Sequence, residues 1–272
     1  MKQQVADFYK HFAFVRVAKI NKKIFIPNFL NDLLSVPLRF IILLIIWTAI
    51  YAVSGRQTIG GYTLWSMIFY YVMYTTVLHI TSYYRQLPYA IWDEITKGNM
   101  SKYICRPISY IQYHFFYGLG YAYYSSIFCV PIIIVLSLYF FDGSYFWKNC
   151  ALFIVSLVLG IAITYFVYLL IGLLTFWTES IFGFRDMILH IGAIFSGSVL
   201  PMSFFPSIAQ TISLFLPFRY MIYDPISILI YQLPTRDILF IMLRQLICLA
   251  VLVLVARLVW ALGIKRYEAQ GG

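Results

Sequence analysis

Charge is the scarcest commodity in this chain. Of 272 residues only 11% are Asp, Glu, Lys or Arg, while 62% are hydrophobic and 20% aromatic. A soluble domain carries about 25% charged residues, and no polar stretch here is long enough to close a core of its own. Both facts exclude a water-soluble domain. They point to a single transmembrane domain over residues 1–272, an all-α polytopic membrane protein with a mean hydropathy of +0.82. Reactive motifs are missing too. Without GxxxxGK[ST] the chain cannot cradle ATP phosphates by itself, and there is neither HExxH nor GxSxG. The cysteines Cys105, Cys129, Cys150 and Cys248 are scattered with no paired spacing, and read as small apolar residues. His11, His79, His114 and His190 are isolated, so packed or interfacial roles outweigh metal ligation and no metal is expected. No cleavable signal peptide is visible, because the N-terminus is charged and amphipathic.

The ten carboxylates are informative by position. Glu179 and Asp186 sit at the cytoplasmic edge of a span, the others at span ends or in loops. None lies at a span centre, where an ion-coupled transporter needs a site for H⁺ or Na⁺. This counts against secondary transport and against an intramembrane hydrolase. The formal net charge of +10 has a distribution that argues against nucleic acid. Most basic residues lie before the first span, between Arg85 and Arg106, or at the C-terminal end. That bias puts both termini and the Arg85–Gln112 stretch on the cytoplasmic side.

Taken in order, Val5, Phe8, Phe12 and Val15 recur at helical spacing, so residues 3–23 read as a basic amphipathic helix in the interface. Six spans follow, near 36–53, 62–84, 113–140, 150–176, 181–200 and 238–262, each near the ~20 residues needed to cross. Arg185 and Asp186, one turn into the fifth span, are placed to pair. Arg244, about two turns inside the sixth, either faces a cavity or snorkels outward. A tyrosine stripe (Tyr110, Tyr113, Tyr117, Tyr121, Tyr124) keeps one helical face; packing is its first reading, an aromatic wall for a ligand its second.

Two segments fit none of the spans. In the cytoplasmic segment 85–112, Pro88 can start a helix and Gly98 can stop it. Ile91, Trp92 and Ile95 then share an apolar face, with Asp93 and Glu94 off it and looking away. The outer segment 201–235 is too apolar for a solvated loop and is divided by Pro201, Pro206, Pro217, Pro225 and Pro234. Two re-entrant half-helices, dipping into the outer leaflet and capping a cavity, are expected there.

These two segments also carry a resemblance. The pattern Glu94, Gly98, Arg106, Pro107, Ser109 resembles the stretch between spans two and three of bacterial ABC-transporter permeases of the second exporter type. The outer pattern Gly197, Pro201, Phe204, Phe205, Pro206, Leu216, Pro217, Phe218, Tyr223, Pro225 is similar to the segment before the last span of that family, and Trp260, Gly263, Tyr267, Gly271 and Gly272 fit its C-terminal end. The resemblance implies a permease in the bacterial cytoplasmic membrane that exports a hydrophobic or amphipathic substrate: a drug, lipid, glycan or peptide. ATP and Mg would sit on a separate ATP-binding cassette subunit, with no cofactor on this chain and no catalysis by it. The helix after span two would be the coupling helix. Trp92 and Ile95 would pack into the partner's groove, Asp93 and Glu94 would meet its basic groups, and Gly98, Arg106 and Pro107 would shape the segment. A second permease chain, identical or paralogous, would complete the translocation path, with Trp65, Phe69 and Tyr70 of span two lining it. Gly197, Pro201, Phe204, Phe205, Pro206, Pro217, Phe218 and Pro225 would form an outer gate. The competing classes are an ion-driven secondary transporter and a lipid-modifying membrane enzyme.

Overall fold

The computed structural model describes residues 26–104, 109–123, 126, 143–231 and 233–267. The expected interfacial helix, the second half of span three, Arg106 and Pro107 lie outside the described residues. Helix α1 (Ile26–Ser54) leads into a hairpin of β1 (Thr58–Ile59) and β2 (Tyr62–Thr63), with Ile59 opposite Tyr62. Helix α2 (Leu64–Ile80) starts with a capping box: the Thr63 hydroxyl accepts from the Ser66 amide, and the Ser66 hydroxyl accepts from the Thr63 amide. Then come α3 (Ser82–Thr96), α4 (Ser101–Ile104) and α5, helical over 110–123. Helix α6 (Gly143–Leu173) is followed by α7 (Phe182–Phe195). Three short helices, α8 (Ser207–Ser213), α9 (Pro217–Met221) and α10 (Tyr223–Ile230), precede α11 (Thr235–Gly263).

Among the described residues two stretches are long and apolar enough to cross a membrane, Lys148–Phe176 and Thr235–Arg266, and Ile41–Ser54 is a shorter apolar run. Helix α6 is the hub, packing against α3, α9, α10 and α11. Lipid supplies no hydrophobic drive between helices, so close packing and inter-helix hydrogen bonds must hold such a bundle together. Gln245 of α11 illustrates this. Fully buried, it accepts from the Ser156 hydroxyl of α6 and donates to the carbonyls of Ser156 and Tyr220.

Three expectations need correction. Span two does not run unbroken to Tyr84: α2 ends at Ile80, and the Thr81 hydroxyl turns back to the Val77 carbonyl. The next helix begins at Ser82 rather than at Pro88, so Pro88 sits inside α3, buried. Span five is shorter than its apolar run. Helix α7 has 14 residues, about 21 Å of rise against the ~30 Å of a hydrocarbon core. Its end is fixed by α2, because the Tyr70 and Tyr71 hydroxyls capture the carbonyls of Gly197 and Val199 at 2.7 Å each. Gly197 takes φ +79 in that turn, a conformation that favours glycine.

Among the described residues the core forms two clusters. The one on the side expected to face outward, the outer core, gathers Trp47, Tyr62, Phe69, Tyr70, Tyr223 and Ile226 beneath α8–α10 and the hairpin. The inner one gathers Tyr84, Leu87, Ile91, Tyr110, Tyr165 and Leu169, tying α3 and α5 to α6. Where two half-helices were expected in the segment 201–235, the structure has three short helices and a 3-10 turn at Met202–Phe204.

Candidate functional site

Helix α3 is where the inner core meets the surface. Ile91 is fully buried against α6, and the expected stop is real: α3 ends at Thr96, and Gly98 adopts φ +71 just beyond. Trp92 is half-buried. Its indole N–H donates to the Glu179 carbonyl at 2.9 Å, and its ring lies edge-on to Phe182 at 5.0 Å. Trp92 therefore fastens α3 to the link between α6 and α7. Asp93 points outward and pairs with Lys97 one turn on, both well exposed; such a pair adds little stability.

Glu94 departs from the expectation. The helical period sets it on the polar face, yet its carboxylate is turned inward and only 17% exposed. It accepts from the Tyr110 hydroxyl at 2.6 Å and the Tyr103 hydroxyl at 2.9 Å, with His114 Nε2 at 3.4 Å. His114 is in turn joined through Nδ1 to the Tyr83 hydroxyl at 2.9 Å. Burial opposes ionisation of Glu94, but its contacts with His114, Tyr110 and Tyr103 outweigh it and hold the carboxyl below its ordinary value. Glu94 thus clasps α3, α4 and α5 together, which leaves Asp93 as the outward-facing carboxylate of α3. Ile95 is half-buried and packs on the inner core. The tyrosine stripe serves packing as far as it is described. Tyr110 stacks on Trp260 at 4.8 Å, and Tyr117 and Tyr121 lie against Tyr83.

At the base of α3, Arg185 reaches the Arg85 carbonyl at 3.4 Å beside a cleft that Arg85 lines. The predicted Arg185–Asp186 pairing is present at 2.8 Å. Arg185 also donates to the Tyr89 hydroxyl at 2.7 Å, and its guanidinium sits 4.1 Å above that ring. The group is largely buried, and its Nε has no hydrogen-bond partner, an omission worth about 1–3 kcal/mol. Arg85 lines the neighbouring cleft, which lies between α2, α6, α7 and α9 and encloses about 80 Å³. Nothing in the sequence placed Arg85, Arg185 and Tyr168 together, because they come from three separate segments.

The residues expected along a substrate path are dispersed. Trp65 is exposed, whereas Phe69 and Tyr70 are buried in the outer core; the α2 aromatic at the cleft is Tyr74. The residues expected to form an outer gate divide. Phe218 is buried and lines the cleft. Phe204 packs against Trp47 and Tyr62, with Phe205 half-buried on the same cluster. Pro201 and Pro206 precede the 3-10 turn and α8, Pro217 opens α9, and Pro225 is buried in α10. Arg244 is exposed and lines an open groove between α11 and the α8–α9 connection. Among the described residues no group of three His, Cys, Asp or Glu side chains could hold a metal ion.

Residues 29–271 match a family model described as ABC-2 family transporter protein. No curated protein matches the chain.

Proposed function

The chain belongs to the ABC-2 transporter family, and on that premise we propose that it is the permease subunit of an ATP-driven exporter. Proteins of this family are membrane components of transport systems that work with ATP-binding cassette subunits. The absence of a phosphate-binding loop here fits that division of labour. In the proposal the protein crosses the bacterial cytoplasmic membrane six times with both termini in the cytoplasm, and a second permease chain, identical or paralogous, completes the path. The substrate is hydrophobic or amphipathic.

The observation that carries this reading, beside the family match, is the construction of α3. Its inner face is locked to α6 by Ile91, to the α6–α7 link by Trp92 and to α5 by Glu94. Its outer face presents Asp93 and Lys97. An element locked on one side and exposed on the other can carry a push from a partner into the bundle without yielding. In the proposal Asp93, Lys97 and the outer edge of Trp92 meet the ATP-binding subunit, which closes on ATP and Mg. Glu94 transmits the motion to α5 instead of touching the partner. The α8–α10 roof forms the outer gate.

The test is a pull-down of the tagged chain from its native membrane, followed by an ATPase assay on the eluate. A stoichiometric ATP-binding subunit is expected, and its substrate-stimulated hydrolysis should fall when Trp92 is replaced by Ala. A chain that purifies alone under gentle extraction, with no ATPase activity, contradicts the proposal.

A further inference from the structure

The Arg85 guanidinium lines the cleft, and Arg185 lies behind it, donating to the Arg85 carbonyl at 3.4 Å. Arg185 has Asp186, which is half exposed. Among the described residues no carboxylate pairs with Arg85, and none lines the cleft. Tyr168, a buried residue of α6, lines the same cleft as Arg85. The excess positive charge therefore sits in a partly enclosed site rather than on an open surface.

The other polar walls do not neutralise it. The hydroxyls of Thr81, Thr164 and Ser198 donate to the carbonyls of Val77, Gly160 and Ala193 within their own segments. They leave Arg85 as the strong donor of the cleft. The opposite end is apolar, formed by Leu78, Leu189, Phe218 and Met221. An enclosed volume of about 80 Å³ holds several waters, which is room for a head group and not for a whole amphiphile. An apolar tail would have to leave along the open side.

We propose that this cleft takes the anionic head group, a phosphate or a carboxylate, of an amphipathic substrate, bound by Arg85 with its apolar part against Leu189 and Phe218. Guanidinium suits such a group because its forked donors match two oxygens at once. The substrate role rests on the permease reading above; the binding site does not. Arg85 on the α2–α3 side and Phe218 on the roof bound the same cleft, so a head group there bridges the cytoplasmic element and the outer segment.

The experiment uses the chain with whatever subunits purify with it, reconstituted in vesicles of phosphatidylcholine alone or with phosphatidylglycerol. Lipid retained after gentle extraction is counted by native mass spectrometry. Wild type should retain phosphatidylglycerol over phosphatidylcholine, and Arg85→Gln should weaken that preference at least tenfold. Arg85→Lys should keep most of it, and Arg236→Gln, at the far end of α11, should not change it. Melting temperatures show that each variant is folded. Inorganic phosphate competing at millimolar concentration would mean the site reads the phosphate alone; competition only by the intact lipid would mean it reads the amphiphile. Equal retention by wild type and Arg85→Gln overturns the anion site. If an ATP-binding subunit co-purifies in that case, the permease reading still stands. Conversely, loss of retention on Arg85→Gln in a chain that purifies alone keeps the site and removes the exporter.

Discussion

Replacing Glu94 by Gln tests the clasp that makes α3 a rigid lever. The carboxylate receives two hydroxyl hydrogen bonds, at 2.6 Å from Tyr110 and 2.9 Å from Tyr103, with His114 Nε2 at 3.4 Å. Glutamine has nearly the same shape but loses the charge and offers one acceptor oxygen in place of two. One charge-assisted bond is then lost outright and the other weakened. Bonds to charged groups contribute about 1.5–3 kcal/mol each, and a buried hydroxyl left without an acceptor costs about as much. The side chain is only 17% exposed, so solvent screening reduces this little. The expected destabilisation is about 2 kcal/mol, or roughly 4–8 °C in melting temperature for a chain of this size. The assay is thermal unfolding of purified protein in one detergent, run as a cycle with Tyr110→Phe. Because the two residues share a bond, the double variant should lose about 1–2 kcal/mol less than the sum of the singles. The pH dependence carries a sign as well. The folded pKa of Glu94 is lowered from its ordinary 4.5, so its contribution is fully present above that value and is lost as pH falls through the lower, folded one. Wild type should lose stability in that acid window, and Glu94→Gln should lose less. A melting temperature unchanged to within about 1 °C, or strict additivity with Tyr110→Phe, would refute the clasp.

Other substitutions probe neighbouring joints. Gly118→Ala puts a methyl group into the Tyr84 ring, so α5 must move off α3; the expected cost is about 1–3 kcal/mol, and an unchanged melting temperature would deny the close approach. Arg219→Met strands the Asp224 carboxylate, which is 2% exposed and bonded to Arg219 at 2.7 Å. About 3–5 kcal/mol should be lost, with Asp224→Asn in the same chain recovering much of it. Trp92→Phe removes the N–H bond to Glu179 while keeping the ring near Phe182. A modest loss of about 1 kcal/mol is expected, with a larger fractional fall in substrate-stimulated ATPase than in assembly with the partner. A fall in both alike would assign Trp92 to docking only.

The periodic and punctuated features were legible in the sequence. The apolar runs of α6 and α11, the Gly98 stop, the Arg185–Asp186 pair and the division of the outer segment by proline each follow from a local rule, and each is present. What stayed hidden depends on contacts between distant segments. Glu94 reads as a surface residue by helical period, but Tyr103, Tyr110 and His114 reach it from α4 and α5 and draw it inward. Phe69 and Tyr70 were placed on a path by the resemblance, yet contacts with distant segments bury both in the outer core while Trp65 of the same helix stays exposed. Helix α7 reads as a full span by hydropathy, and its early end is imposed by two tyrosines of α2 more than a hundred residues earlier. The cleft lined by Arg85 and Tyr168 belongs to the same class.

The central claim, that α3 takes the push of an ATP-binding subunit through Asp93 and Lys97 while Glu94 faces inward, is tested most directly by site-specific cross-linking in the assembled complex. Single variants Asp93→Cys, Lys97→Cys and, as a reference on the side that the proposal places outside, Arg236→Cys are treated with a short thiol-to-amine cross-linker, with and without ATP and Mg. The account predicts that Asp93→Cys and Lys97→Cys join the chain to the ATP-binding subunit, with yields that change on nucleotide addition, and that Arg236→Cys does not. An assembled, ATP-hydrolysing complex in which neither α3 position cross-links would contradict it.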